Sequence, residues 1–257
     1  MIGIFDSGIG GLSVLAKIRE KAPNADIIYF GDTANAPYGT RPLSELKVLT
    51  ESAVEFLLSQ GARDIVSACN SVSAFMTLSE SGFLAQVPLS IIEMTRPTIR
   101  ALARDFTGEK IVFLATPATI ASSIYARGCA ESGINATHIA IPELAGAIER
   151  GAPRDEIISI VARAVSVLPR DTDVVSLSCT HYPFVQDIFI EEIARAGLAA
   201  ETFDPADSVA EEVCVGCEKN GNGTARFILS KDSAVFRDTL SRIFVGSPMI
   251  EIRDVSV

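Results

Sequence analysis

Two cysteines, Cys69 and Cys179, follow similar short apolar runs and are the residues of this sequence best suited to acid–base chemistry. The first lies in Asp64-Ile-Val-Ser-Ala-Cys69, and the second lies 110 positions later in Asp173-Val-Val-Ser-Leu-Ser-Cys179. A short β-branched run bounded by polar residues is typical of a buried parallel strand, and open α/β sheets bind ligands at the carboxyl ends of such strands. Two thiols at equivalent strand ends could remove a proton from one face of a carbon and return it to the other face.

Small polar residues follow each cysteine, as Cys69-Asn70-Ser71 and Cys179-Thr180-His181. A strand-to-helix turn places a thiol at a helix N-terminus, which lowers the thiol pKa from about 8.5. His181 is one of only two histidines and could exchange a proton with Cys179. A buried cysteine is more often a small apolar side chain, and this ordinary interpretation is preferred for Cys129 inside a predicted helix. The repeated context favours a functional role for the other two.

Two polar loops follow the first and second predicted strands. Asp6-Ser-Gly-Ile-Gly-Gly11 opens a helix, and its glycines could let a ligand approach a helix N-terminus that favours anions. The G-x-G-x-x-G spacing of dinucleotide sites is absent and an acidic residue begins the loop, so a carboxylate ligand is favoured over a nucleotide. A purely structural glycine turn remains open. Gly31–Gly39 is a second irregular loop at the same sheet edge, where function usually lies.

Cys214-Val-Gly-Cys217 and His138 are expected to have no catalytic role. A zinc site would need a further Cys or His pair near the C-x-x-C, and none follows. His138 lies in a predicted strand and is interpreted as a structural histidine with its hydrogen bonds satisfied. The sequence therefore predicts no metal site.

Composition excludes several classes of protein. The 257 residues are 48% hydrophobic, which excludes disorder, and no apolar run approaches the ~18–20 residues of a membrane helix. The start of the chain lacks the pattern of a secretory signal, and five cysteines do not form a disulfide framework, so free thiols in the cytoplasm are expected. The net charge of −10 argues against binding to nucleic acid or to anionic membranes.

Alternating strand and helix patterns predict an α/β fold with mainly parallel sheets. Ile2–Phe5 and Ile111–Leu114 are predicted strands about 110 residues apart, like the two cysteines, so two similar half-domains are expected. Strands are predicted near 2–5, 27–30, 64–68, 88–92, 111–114, 138–141, 173–177, 200–203, 225–229 and 249–252. Helices are predicted near 11–21, 43–60, 72–84, 97–105, 118–132, 153–167, 183–196, 206–213 and 233–243. A hairpin-like turn is predicted at Asn220–Gly223.

The predicted domain organisation is discontinuous. Pro97 and Gly108 bracket a crossing into the second half, and Asp204-Pro205 is a turn signal where the chain could return. The first domain is therefore expected to comprise residues 1–95 and 206–257 and to carry Cys69. The second domain is expected to comprise residues 96–205 and to carry Cys179.

Four strings together resemble those of the cofactor-independent aspartate/glutamate racemase superfamily, and within it those of bacterial glutamate racemases. They are Phe5-Asp-Ser-Gly-Ile-Gly-Gly11, Gly31-Asp-Thr-Ala-Asn-Ala-Pro-Tyr-Gly39, Ala68-Cys-Asn-Ser71 and Cys179-Thr-His-Tyr-Pro183. The resemblance implies two α/β domains related by pseudo-symmetry, with the active site between them. It also implies interconversion of L- and D-glutamate without a cofactor, which supplies D-glutamate for peptidoglycan.

The resemblance also implies residue roles. Cys69 would be the base for D-glutamate, assisted by Asp6, and Cys179 the base for L-glutamate, assisted by His181. Asp32 and Glu149 would be further carboxylates of the site. The positions implied to bind substrate are Asp6, Ser7, Tyr38, Gly39, Asn70, Ser71, Thr116, Thr119, Thr180 and His181. Ser71 stands where threonine is common and Ser178 where glycine is common. The chain after residue 205 matches weakly, so no functional residue is assigned there.

Two alternatives remain open at this point. One is an aspartate racemase or another two-cysteine isomerase, although the Asp6 and Gly31–Gly39 loops favour glutamate. The other is a two-lobed small-molecule binding protein, which would have no need of paired thiols. Glutamate is the expected partner, with no nucleic acid and no membrane, and the sequence leaves a homodimer open. The precursor activator that some family members need is not expected, because those members bear an N-terminal extension.

Overall fold

The computed structural model describes residues 1–73, 91–217, 220–244, 248–253 and 255. The strands are β1 (Ile2–Asp6), β2 (Ile27–Gly31), β3 (Asp64–Ser67), β4 (Ile91–Glu93), β5 (Lys110–Ala115), β6 (Asn135–Ala140), β7 (Val174–Leu177), β8 (Glu201–Phe203), β9 (Ala225–Leu229) and β10 (Ile250–Ile252). The helices are α1 (Gly11–Lys21), α2 (Leu43–Ser59), α3 (Thr95–Asp105), α4 (Pro117–Ala121), α5 (Ile124–Glu131), α6 (Leu144–Glu149), α7 (Arg154–Ser166), α8 (Gln186–Arg195), α9 (Pro205–Gly216) and α10 (Ala234–Ile243). Short 3₁₀ turns cover Tyr38–Thr40 and Tyr182–Val185.

These strands form two sheets. The larger sheet has the order β10-β9-β2-β1-β3-β4, and the smaller has the order β6-β5-β7-β8. Every strand pair in the described residues is parallel. In each half the first strand lies between the second and the third, with the fourth outside, so β2-β1-β3-β4 corresponds to β6-β5-β7-β8. The predicted fold class, two similar parallel-sheet α/β units, is confirmed.

The larger sheet is assembled from two separate stretches of the chain. β9 pairs with β2 at the edge away from β1, and β10 pairs with β9. Between these stretches the chain builds the smaller sheet and then begins α9 at Asp204, whose carboxylate accepts a hydrogen bond from the backbone N–H of Ala206 at 2.9 Å. An aspartate N-cap followed by proline is a favourable helix start. α9 packs against α1. The two domain boundaries themselves stay predictions.

Most predicted elements agree with the observed ones to within a few residues, and the differences have local causes. The helix predicted over 118–132 is divided into α4 and α5, because Ser123 adopts a left-handed φ of 56°. The helix predicted over 183–196 begins with a 3₁₀ turn. α6 was not predicted, and its six residues are short for a periodicity signal. Residues 74–84 of the helix predicted over 72–84, and 88–90 of the strand predicted over 88–92, lie outside the described residues.

The hairpin-like turn predicted at residues 220–223 is wrong. β9 follows this loop and runs parallel to β2, so the loop does not join antiparallel neighbours. The Asp26 carboxylate instead holds the loop: its Oδ1 accepts hydrogen bonds from the backbone N–H of Asn222 at 3.1 Å and from Thr224 N–H and Oγ1–H at 3.0 and 2.6 Å. An Asn-Gly sequence is a hairpin signal only where antiparallel strands flank it.

Apolar side chains of the parallel strands fill the interior. All five residues of β1 are buried, as are all five of β2, which is expected for strands covered by helices on both faces. In the part of the chain that the structure describes, no helix is long and apolar enough to cross a membrane.

Candidate active site

The carboxyl ends of the central strands gather the predicted acid–base residues. Asp6 ends β1, Asp32 follows β2, and the backbone N–H of Asp32 donates to the carbonyl of Asp6 at 2.9 Å. Cys69 follows β3 of the same sheet, and Cys179 follows β7 of the smaller sheet. In each half, the cysteine therefore follows the third strand along the chain, β3 or β7, in agreement with the repeated sequence context.

Cys69 is a buried thiol with negatively charged neighbours. Cys69 is only 5% exposed. Burial raises the pKa of the Cys69 thiol, and the charges of Asp6 and Cys179 raise this pKa further, while backbone N–H groups of Val72 and Ser71 oppose the rise. Cys69 is therefore a neutral thiol in this structure, and the expected lowering of its pKa at a strand-to-helix turn is outweighed by burial.

Asp6 contacts both halves of the molecule. It is fully buried, and burial raises the pKa of its carboxyl group, whereas the charge of His181 lowers that pKa. Its Oδ2 accepts a hydrogen bond from the Gly8 N–H at 2.8 Å, and the Thr180 hydroxyl donates to its Oδ1 at 3.5 Å. Ser7, the next predicted residue, is also buried.

His181 connects Cys179 to Glu149. Its Nδ1 lies 3.8 Å from the Cys179 Sγ, and its Nε2 lies 2.7 Å from the Glu149 Oε2. Burial disfavours the charged imidazole, but the hydrogen bonds to Cys179 and Glu149 outweigh it and raise the pKa of His181 well above its ordinary value. Burial would raise the pKa of Glu149, and the hydrogen bond and charge of His181 lower it. The pair is an imidazolium and a carboxylate, so His181 can hold a proton next to Cys179.

The glycines of the loop after β1 are explained by close approach of the second half. A Cβ added at Gly8 would lie 2.3 Å from the Glu149 Oε1, and one added at Gly10 would lie 2.4 Å from the Thr180 Oγ1 and 2.6 Å from the His181 Nδ1. The Ile9 N–H of this loop donates to the Glu149 Oε2 at 3.0 Å. The glycines thus give room to the side chains around Cys179.

Hydroxyl groups from both halves meet close to the segment that carries Cys69. The Ser71 Oγ and the Thr116 Oγ1 lie 3.0 Å apart, and the Thr116 Oγ1 lies 3.0 Å from the Thr119 Oγ1. Gly39 also contacts this group, since a Cβ there would lie 2.7 Å from the Thr116 Cγ2. These four predicted residues therefore lie together.

Asn70 is held by Tyr125, a residue that lies in no sequence motif. The Tyr125 hydroxyl of α5 donates to the Asn70 Oδ1 at 2.5 Å, in a buried contact between the halves. In the described part of the chain the Asn70 Nδ2 is buried and has no hydrogen-bond partner. Among the described residues, this amide nitrogen is therefore a candidate donor for a ligand.

Asp32 is surrounded by donors. The Tyr38 hydroxyl donates to its Oδ2 at 2.5 Å, the Asn35 amide at 3.0 Å, and the Ser230 hydroxyl donates to its Oδ1 at 2.7 Å. Burial, and then the charge of Asp32, raise the pKa of Tyr38, which is a neutral phenol. The sequence predicted no role for Ser230 or Ser13. The Ser13 hydroxyl donates to the carbonyls of Gly10 at 2.8 Å and Thr180 at 3.0 Å. These serines lie in no motif, and their partners Asp32 and Thr180 are 198 and 167 residues away in sequence.

In the described part of the chain, the residues interpreted as structural make no side-chain hydrogen bond to the site residues. Cys129 packs in an apolar cluster, and burial raises its pKa to about 12. His138 stacks on the ring of Phe113 with centroids 5.2 Å apart, and burial lowers its pKa. The prediction that its hydrogen bonds are satisfied is wrong, because its Nε2 is buried without a partner among the described residues. Cys214 and Cys217 are free thiols.

Comparisons with known proteins agree with this geometry. The family model described as Asp/Glu/Hydantoin racemase matches residues 2–213. The glutamate racemase of Thermus thermophilus is 32% identical over 265 residues, which cover 100% of this chain and 96% of that protein. Crystal structures of a Bacillus anthracis glutamate racemase isoform and of the Francisella tularensis enzyme in complex with D-glutamate match with TM-scores of 0.86 and 0.84 and identities of 26% and 25%. Each match covers 99% of this chain and 97% of the other.

Proposed function

Because the chain belongs to the Asp/Glu/Hydantoin racemase family, we propose that it interconverts L- and D-glutamate by proton transfer at the α-carbon between two thiols. The observation that carries this proposal is the pair of buried cysteines at equivalent strand ends of the two sheets, with the Asp6 carboxylate at the end of β1 and the His181 Nδ1 3.8 Å from the Cys179 Sγ. The relatives named above are glutamate racemases, and one of the solved structures contains D-glutamate. The proposed product, D-glutamate, supplies peptidoglycan synthesis.

Each racemisation uses one thiolate, which removes the α-proton, and one thiol, which donates a proton to the α-carbon. With D-glutamate, the Cys69 thiolate removes the α-proton and the Cys179 thiol donates a proton to the opposite face, which yields L-glutamate. The reverse reaction exchanges the two roles. Atoms and charge balance, because the proton taken up by one sulfur is replaced on carbon by the proton of the other.

The polar neighbours supply and store these protons. Burial raises the pKa of Asp6, which brings this carboxyl group closer to a thiol pKa and makes it a better proton acceptor for Cys69. His181 holds the proton on the other side, since its pKa is raised by Cys179 and Glu149. The helper of each cysteine is therefore of a different chemical type.

The remaining polar residues stabilise charge as it develops. An α C–H is a weak acid, so negative charge that spreads onto the α-carboxylate in the transition state must be stabilised. The hydroxyls of Ser71, Thr116 and Thr119 are the donors proposed for this task. The Asn70 Nδ2, which has no partner among the described residues, is proposed instead to hold a substrate carboxylate in the ground state. Their burial excludes water, which strengthens each of these interactions.

The test is racemisation by purified protein with EDTA and no added cofactor. Optical rotation of pure L-glutamate should fall to zero, and in D₂O the α-proton should exchange. Cys69→Ala and Cys179→Ala should each abolish the change, whereas Cys129→Ala, a matched cysteine in an apolar cluster, should not. No conversion of either enantiomer by the wild type would overturn the proposal.

Two further measurements separate the alternatives. L-Aspartate offered in parallel should be converted at least 100-fold more slowly, and the opposite preference would indicate an aspartate racemase. A binding protein would bind glutamate with equal affinity in the two alanine variants and turn over none. A reducing cytoplasm is the proposed location, since all five cysteines are free thiols. The homodimer stays a prediction.

A further inference from the structure

The end of β9 lies beside the loop that carries Asp32, although it is outside the region of the family match. The family model ends at residue 213, and β9 begins at Ala225. β9 pairs in parallel with β2 so that Leu229 lies opposite Gly31. The next residues of the two strands, Ser230 and Asp32, therefore emerge together at the carboxyl edge of the sheet, where sites of open α/β sheets form.

Ser230 uses its hydroxyl in both hydrogen-bonding directions. Its Oγ donates to the Asp32 Oδ1 at 2.7 Å and accepts from the Ala34 N–H at 2.9 Å. Its backbone N–H donates to the carbonyl of Gly31 at 3.1 Å. Next to it, the Lys231 N–H donates to the Thr33 Oγ1 at 3.1 Å. The chain after β9 thus holds the Asp32 loop at several points.

Asp32 transmits this constraint to Tyr38. With Oδ1 bonded to Ser230, the Asp32 Oδ2 faces the Tyr38 hydroxyl at 2.5 Å. A carboxylate has one rotatable bond to its own Cβ, so a hydrogen bond to one oxygen also sets the direction of the other. Tyr38 is 1% exposed, and its neighbour Gly39 lies against Thr116, whose hydroxyl contacts those of Ser71 and Thr119.

From these contacts we infer that Ser230 is a positioning residue for the reaction, which orients the Asp32 carboxylate and through it the Tyr38 phenol. Ser230 acts through Asp32 and does not itself touch the substrate. This inference rests on the proposed function, because Asp32 and Tyr38 matter here as parts of the racemase site. It extends that site into the last part of the chain, to which no functional residue was assigned from the sequence.

The test compares side chains of one shape with and without the hydroxyl. Ser230→Thr keeps the donor and acceptor, whereas Ser230→Val has the shape of threonine and neither group. Hydrogen bonds to charged groups are stronger than neutral ones. Loss of this bond in the valine variant should therefore lower kcat/KM for L-glutamate about 10- to 100-fold. The threonine variant should stay within about threefold of the wild type. Ser241→Ala, an exposed serine of α10 whose hydroxyl donates to the Asp238 carbonyl at 2.7 Å, is the matched control and should be unchanged.

A double-mutant cycle distinguishes positioning from a general effect on folding. If Ser230 acts through Asp32, then Ser230→Val should have less than a threefold effect in an Asp32→Ala background, which has no acceptor for the Ser230 hydroxyl. Thermal unfolding of each variant reports loss of structure separately, and a lower Tm with unchanged kcat/KM would mean a merely structural serine. Equal losses in both backgrounds would likewise overturn the inference.

Failure of the inference and failure of the proposed function give different results. An active wild type with equally active Thr and Val variants overturns only the role of Ser230. A wild type that racemises neither enantiomer overturns the proposed function and this inference with it.

Discussion

Glu149 and His181 form a buried ion pair, with 2.7 Å between the Glu149 Oε2 and the His181 Nε2. Their side chains are 13% and 5% exposed. The carboxylate also accepts the Ile9 N–H of the loop after β1, so the same residue anchors the histidine and contacts the other half. A conformational change that separates the halves would therefore alter the proton affinity next to Cys179.

Glu149→Gln should destabilise the protein by about 2 kcal/mol, and only within a defined pH window. The pKa of Glu149 is lowered, so its stabilisation is full above its ordinary pKa of 4.5 and is lost as pH falls through the lowered value. The pKa of His181 is raised, so its stabilisation is full below its ordinary pKa of 6.5 and is lost as pH rises through the raised value. The difference between wild type and variant in urea unfolding should be largest between pH 4.5 and 6.5. A difference independent of pH would contradict the ion pair.

The two proton transfers should respond differently to loss of their helpers. His181→Ala should raise the primary deuterium isotope effect on kcat/KM with α-deuterated L-glutamate more than with D-glutamate, because Cys179 loses its proton partner. Asp6→Asn should have the opposite bias. The overall equilibrium fixes the ratio of kcat/KM values in the two directions, so only the isotope effects can carry the asymmetry. Equal changes in both directions for both variants would mean that each thiol does not have its own helper.

The sequence correctly predicted the strands that end just before Cys69 and Cys179, because short β-branched runs and the residues that follow them are local patterns. It did not predict Tyr125 or Ser230, whose partners Asn70 and Asp32 lie 55 and 198 residues away. Hydrogen bonds over such separations depend on strand order and register. A tyrosine in a helix and a serine after a strand have no pattern of their own.

The glycine loop illustrates the same limit. Its composition indicated close approach of some group to the backbone, and this is what the structure shows. The sequence favoured an external carboxylate as that group, whereas Glu149, Thr180 and His181 of the chain itself lie against Gly8 and Gly10. Only the packing of one half on the other identifies the group.

Gly10→Ala should therefore damage the site. Its Cβ would lie 2.4 Å from the Thr180 Oγ1 and 2.6 Å from the His181 Nδ1, so the second half must shift. kcat/KM should fall at least 100-fold, since small displacements of positioned groups are costly. Gly146→Ala in α6 is the control, because the nearest atom to its Cβ would be the Pro37 Cγ at 4.0 Å, and alanine favours a helix. Similar kinetics for both variants would show that the close approach at Gly10 is not needed for activity.

Tyr125→Phe tests whether the contact between the halves sets the amide of Asn70. The ring should keep its packing on Phe113, at 4.9 Å between centroids, so the substitution removes little besides the hydroxyl. Without the donor at 2.5 Å, the Asn70 Oδ1 loses its partner and the amide can rotate, so that its N–H groups no longer face one direction.

Loss of a ground-state contact raises KM, whereas loss of one made only in the transition state lowers kcat. The Asn70 Nδ2, which has no partner among the described residues, is proposed to hold a carboxylate that is already charged in the substrate. KM should therefore rise about 10-fold, with kcat within threefold of the wild type. Initial rates over a range of L-glutamate concentrations measure both parameters. An unchanged KM would mean that Asn70 is oriented by its backbone and that Tyr125 only fills space.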